Sequence, residues 1–210
     1  MKKILFQGDS ITDASRDMKD NEEMGKGYAL LVKSALGFDC PGEYTFINKG
    51  ISGNRIVDVY ARIKRDIINL EPDMMSLLIG VNDVWHELDD QNGVDAEKFY
   101  KIYSMLIEEV KAALPDIRIM ILEPFVLPGR ATKAEWESFR TEVHKRADKS
   151  REIADKYGLL FVPLQEKFVE ATKLCPPEYW LYDGVHPTPI GAELIKRERL
   201  KAFEEVRFES

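Results

Sequence analysis

The 210-residue sequence predicts a doubly wound α/β fold, a three-layer α/β/α arrangement on a five-stranded parallel sheet. Three observations predict it. Short β-rich runs alternate with longer amphipathic stretches along the whole length. The short runs are apolar nearly throughout, as strands covered on both faces must be. No linker, repeat or low-complexity tract interrupts the alternation, and at about 150 residues per domain the chain reads as one unit over 1–210.

Taken in order, the strands are expected at Lys3–Gly8, Tyr44–Asn48, Met74–Ile79, Ile117–Leu122 and Leu159–Val162. Between them lie helical stretches at Tyr28–Leu36, Ile56–Asn69, Ala96–Leu114, Lys133–Tyr157, Leu164–Ala171 and Pro189–Phe203. In Phe99, Tyr103, Leu106, Ile107 and Val110 the spacing of three or four is helical. Gly37 and Gly158 stand where helices should stop, Pro72 and Pro115 precede strands, and Pro187 and Pro189 lead into the last helix. Such flavodoxin-like sheets bind ligands beyond the carboxyl ends of their strands, so function is to be sought just after each strand.

Composition excludes several classes. Apolar residues make up 44%, enough for a core, yet the longest apolar runs, Gly27–Val32 and Tyr157–Val162, reach six residues. A membrane span needs about 20. After Met1-Lys2-Lys3 only Ile4-Leu5-Phe6 precede Gln7 and Asp9, too short for a secretory core, so a cytoplasmic location is expected. A net charge of −7 without a basic tract argues against nucleic acid. Cys40 and Cys175 have neither metal-ligand spacing nor disulfide density, and His86, His144 and His186 form no zinc motif, so neither metal nor cofactor is expected. Base rates alone suggest a homo-oligomer.

Four polar clusters fall at strand ends or near the C-terminus: Gly8-Asp9-Ser10-Ile11-Thr12, Asn48-Lys49-Gly50-Ile51-Ser52-Gly53-Asn54, Gly80-Val81-Asn82-Asp83 and Asp183-Gly184-Val185-His186-Pro187. Serine is a poor nucleophile until a base takes its proton, and that base needs a third group to orient it. Ser10, His186 and Asp183 supply the three types. Attack on an acyl carbon makes an oxyanion, for which the amides of Ser10 and Gly53 and the side chain of Asn82 are suitable donors. Asp9, Arg55, Trp85 and Tyr182 adjoin these clusters and are candidate substrate contacts.

In all four blocks, in order, the sequence resembles the SGNH hydrolases, also called GDSL-type lipases and esterases. Gly8-Asp9-Ser10 fits the nucleophile block, Gly53 the glycine block, Gly80-Val81-Asn82-Asp83 the asparagine block and Asp183-Gly184-Val185-His186 the D-x-x-H block. Ile11 stands where the family name has Leu, a volume-conserving change. The resemblance implies a serine esterase: Ser10 the nucleophile, His186 the base, Asp183 its orienter, and Ser10, Gly53 and Asn82 the oxyanion hole. The stretches 48–54 and 79–85 are most similar to acetylxylan esterases, which implies an acetylated oligosaccharide as the small-molecule partner.

Each residue also has a plainer reading. Asp9 or Ser10 suits a helix N-cap, Gly50 and Gly53 suit turns, and Asn82-Asp83 suits an Asx turn. Asp183 and His186 fit a surface turn, His86 a solvated loop, and His144 the solvent face of a charged helix. Arg55 fits a helix start. Three alternatives remain at this point: a lysophospholipase, a thioesterase, or a non-catalytic flavodoxin-like binding module. Ser10 does not sit in a G-x-S-x-G elbow, and neither a dinucleotide fingerprint nor a Walker loop occurs. The Trp136-containing stretch after Pro128-Gly129-Arg130 reads as an excursion that either shapes the site or meets another subunit.

Overall fold

Alternate residues of β1 (Lys2–Gly8) face two different apolar layers, Ile4 and Phe6 on one side and Leu5 on the other, so the strand is buried on both faces. The same alternation recurs in β3 (Met74–Leu78) and β4 (Arg118–Leu122), where Met74, Leu78, Met120 and Leu122 join the first layer and Met75, Leu77, Ile119 and Ile121 the second. β2 (Tyr44–Asn48) and β5 (Leu160–Val162) complete a five-stranded sheet of order β2-β1-β3-β4-β5. Every pairing is parallel, with Ile4 beside Phe46 and Met74, and Met74 beside Arg118. The computed structural model describes residues 1–204; positions 205–210 of the expected unit lie outside the described residues.

The helices are α1 (Ser10–Asp13), α2 (Tyr28–Asp39), α3 (Ile56–Ala61), α4 (Ile63–Asp66), α5 (Val81–Asp90) and α6 (Ala96–Ala113), then α7 (Trp136–Tyr157), α8 (Gln165–Ala171), α9 (Pro177–Trp180) and α10 (Pro189–Glu204). Buried residues of α2, α5, α8 and α10 pack in the first layer, and those of α3 and α6 in the second. Chain order reverses around β1, because β2 lies on one side and β3 on the other. This makes the β1–β3 edge the switch point where a doubly wound sheet opens a crevice. Among the described residues no helix is long and apolar enough to cross a membrane, and no group of three or more His, Cys, Asp or Glu is placed to hold a metal ion.

The structure departs from the sequence expectations in four places. Gly37 does not end α2, which continues to Asp39; no atom outside its own helix would meet a Cβ there, so its missing side chain leaves no packing defect. The single helix expected over 56–69 is three short pieces, α3, α4 and a 3₁₀ turn at Ile68–Leu70. They part at Arg62, whose guanidinium reaches Lys49 O at 2.9 Å, Gly8 O at 3.3 Å and Asn54 Oδ1 at 2.9 Å. His86 lies on α5 and not in a loop. His144 is half-buried, and its Nε2 has no hydrogen-bond partner among the described residues.

Candidate active site

Ser10 opens α1 directly after β1, and the turn is fixed by its neighbours. Asp9 caps the helix, its Oδ1 accepting Ile11 N at 3.0 Å. Asn48 at the end of β2 donates to Thr12 O at 2.7 Å and to Met24 O at 2.9 Å. Asp13 accepts from Ser52 N at 3.0 Å and Ser52 Oγ at 2.6 Å, which ties the loop after β2 to α1. That loop approaches so closely that a Cβ on Gly50 would lie 2.3 Å from Asp13 N, so only glycine fits.

The residue 10 hydroxyl meets a side chain from the other end of the chain. Ser10 Oγ and His186 Nε2 are 2.9 Å apart, and His186 Nδ1 and Asp183 Oδ2 are 2.8 Å apart. With the Nδ1 proton directed at the carboxylate, the Nε2 lone pair faces Ser10, so Ser10 donates. Asp183 Oδ1 also accepts Val185 N at 3.0 Å and His186 N at 2.9 Å. Burial would raise the Asp183 pKa, but the His186 ring and these two amides outweigh it and hold the carboxyl well below its ordinary value. The hydrogen bond to Asp183 in turn raises His186, against the opposing effect of burial.

The Asp183 turn is braced by the excursion after β4. Leu127 N donates to Gly184 O at 2.9 Å, Ala131 N to Asp183 O at 3.0 Å, and Thr132 Oγ1 to Leu127 O at 2.8 Å. Residues 127–132 of the excursion therefore hold the Asp183 turn in place.

Gly53, from the loop after β2, has φ +80°, a conformation that favours glycine, and lines the cleft. Asn82, in the first turn of α5 after β3, lines it too. Its Nδ2 donates to Asn54 O at 3.1 Å, which orients the carboxamide and leaves its second N–H. Three strand ends thus converge on Ser10.

The cleft has two lobes that share Ser10, Ser52 and His186. One, of about 510 Å³, is lined by Ile11, Ala14, Lys26, Tyr28, Tyr182, Pro187, Pro189 and Ala192 among others. The second, of about 370 Å³, is lined by Gly53, Asn82, Trp85, His86, Asp89 and Asp90. Trp85 is fixed edge-on to Phe139, with ring centroids 5.8 Å apart, and lies 6.0 Å from the His186 ring.

Two sequence candidates lie elsewhere. Asp9 is 1% exposed and serves as a cap, with burial pushing its pKa up to about 7. Arg55 starts α3 and is held by Asp58 at 2.9 Å and by Asn92 O. Neither lines a lobe. Conversely, no motif in the sequence marks Tyr28, Ser52, Asp89 or Asp90, which also line the lobes. Asp89 falls seven positions after Asn82, and helical periodicity carries it to the same side once α5 is recognised.

The sequence matches the GDSL-like lipase/acylhydrolase family over residues 6–194. An acetylxylan esterase of Geobacillus stearothermophilus is 32% identical to it over 98% of this chain and 96% of the relative. A crystal structure of an acetylxylan esterase from that organism superposes with a TM-score of 0.86 at 31% identity, covering 99% of this chain and 95% of the other. A protein of Parabacteroides merdae, assigned as a GDSL-like lipase, superposes with a TM-score of 0.92 at 34% identity, covering 97% and 95%.

Proposed function

Because the chain belongs to the GDSL-like lipase/acylhydrolase family and is a carboxylic ester hydrolase, we propose that it removes short acyl groups, acetyl foremost, from carbohydrate esters through a Ser10 acyl-enzyme. In this reading residues 1–210 act as one SGNH hydrolase domain. The observation that carries it is the hydrogen-bonded chain from Ser10 through His186 to Asp183, opening into the cleft. The acetylxylan esterase relatives support acetyl and sugar as the two halves of the ester.

The steps follow from the geometry. His186 Nε2 takes the Ser10 proton as Oγ bonds to the acyl carbon, and the carbonyl electron pair moves onto oxygen. The Ser10 and Gly53 amides and the Asn82 carboxamide receive that oxyanion. Collapse breaks the bond to the alcohol oxygen, which takes the proton from His186. Water then gives a proton to His186 and attacks the acyl-enzyme, and a second collapse returns the proton to Ser10 Oγ and releases the acid. Asp183 keeps the imidazole oriented and stabilises its charged form throughout.

Acetate release from acetylated xylo-oligosaccharides tests the reading, with wild type beside Ser10→Ala. Release by the wild type and a loss of about 10⁴-fold or more in the variant are expected; release that survives in Ser10→Ala contradicts it. A second reading, preference for longer acyl chains, is favoured by the 510 Å³ lobe, whose walls include Ile11, Tyr28, Pro187, Pro189 and Ala192. A higher kcat/KM on octanoyl than on acetyl p-nitrophenyl ester would select it.

A further inference from the structure

The side of α5 that carries Asn82 continues beyond it. Residues at i, i+3, i+4 and i+7 share one side of a helix, so Asn82, Trp85, His86 and Asp89 stand in a row, and all four line the smaller lobe together with Asp90. At 1.5 Å per residue the row extends about 10 Å away from the oxyanion donors, further than an acetyl group reaches.

The acids at its far end are placed against local preference. Asp89 and Asp90 occupy the last turn of α5, where the helix dipole disfavours negative charge, and that turn holds no basic residue. Some helical acids elsewhere are neutralised within their own helix: Glu142 by Lys145 and Arg146, Glu193 by Lys196 and Arg197. α5 contains neither lysine nor arginine.

The oxyanion donors decide where the carbonyl oxygen lies, and the other two substituents of the acyl carbon must enter the two lobes. Apolar walls dominate the larger lobe, whereas the α5 lobe offers an indole, an imidazole and two carboxylates. We propose that the α5 row is the leaving-group subsite, selective for uncharged polyhydroxylated alcohols. Asp89 and Asp90 accept hydrogen bonds from hydroxyl groups of the sugar, Trp85 lies against an apolar ring face, and the negative charge excludes anionic alcohols. This inference rests on the esterase reading above.

The test compares wild type with Asp89→Asn/Asp90→Asn on three esters: an acetylated neutral xylo-oligosaccharide, an acetylated oligosaccharide bearing a uronic acid, and p-nitrophenyl acetate. In the variant, the kcat/KM ratio of neutral sugar ester to p-nitrophenyl acetate should fall by about tenfold or more, chiefly through KM. The preference for the neutral over the anionic sugar should narrow as well. Unchanged ratios in a variant of unaltered melting temperature overturn the subsite and leave the esterase reading standing. A wild type that cleaves p-nitrophenyl acetate but no sugar acetate overturns both.

Discussion

Asp9 and Asp183 flank the same Ser10–His186 pair, and the fold treats their carboxyl groups in opposite ways. Asp183 accepts from the His186 ring and from two amides, and stays ionised far below neutral pH. Asp9 accepts Ile11 N on one oxygen, while its buried Oδ2 has no partner among the described residues. Burial therefore dominates at Asp9 and lifts its pKa to about 7, despite the nearby His186. Proximity to the site does not set the two carboxyl groups apart; the depth of burial and the number of donors each receives do.

Three substitutions, read by four measurements, break or sharpen this contrast. Asp183→Asn has the largest expected effect, a loss of about 10⁴-fold in kcat with the fold retained, because the imidazole loses its orientation and its countercharge. Asn82→Ala should lower kcat by about 10²- to 10³-fold with little change in KM. Because it touches neither carboxylate, its pH profile should match the wild type, and steady-state kinetics across pH reads both.

Asp9→Asn should reduce the plateau rate far less and instead move the acid limb. His186 must be neutral to act as base, so kcat/KM rises with pH through its pKa, and ionised Asp9 holds that pKa up. Removing the charge moves the acid limb of kcat/KM to lower pH. An unmoved limb would mean that Asp9 is uncharged throughout the titration of His186.

The smallest effect is on stability. Between about pH 4 and 7 the folded state holds a proton on Asp9 that the unfolded chain releases, so this residue makes stability fall as pH rises across that window. The same sign applies to Asp83, which burial also pushes up to about 7 while Ile56 N donates to both its oxygens. Urea melts of Asp9→Asn should show a shallower decline from pH 4 to 7 than the wild type, and greater stability at pH 8.

Much of this is legible in the sequence. The five strands stand within a residue of their expected bounds, because runs such as Tyr44–Asn48 are apolar and closed by turn residues. Their blocks mark Ser10, Gly53, Asn82, Asp183 and His186; Ser10, Gly53, Asn82 and His186 meet at the cleft, and Asp183 joins them through the His186 ring. α5 was not legible: its first turn is the polar block Val81-Asn82-Asp83, held in place by tertiary bonds such as Val94 N to Asp83 O. Asp9 and Asp183 look alike in sequence, since burial and donor number are properties of folded neighbours. Arg199 is hidden for a similar reason: it occupies an ordinary charged position on α10, yet it is fully buried between the Phe6 and Phe203 rings.

The proposed chemistry requires Ser10 to be the reactive hydroxyl. Intact-mass spectrometry after treatment with a serine-reactive fluorophosphonate, followed by peptide mapping, tests this most directly. One adduct on Ser10, absent from Ser10→Ala along with hydrolysis of p-nitrophenyl acetate, is the predicted result. An adduct on another residue, or hydrolysis without labelling of Ser10, would contradict it.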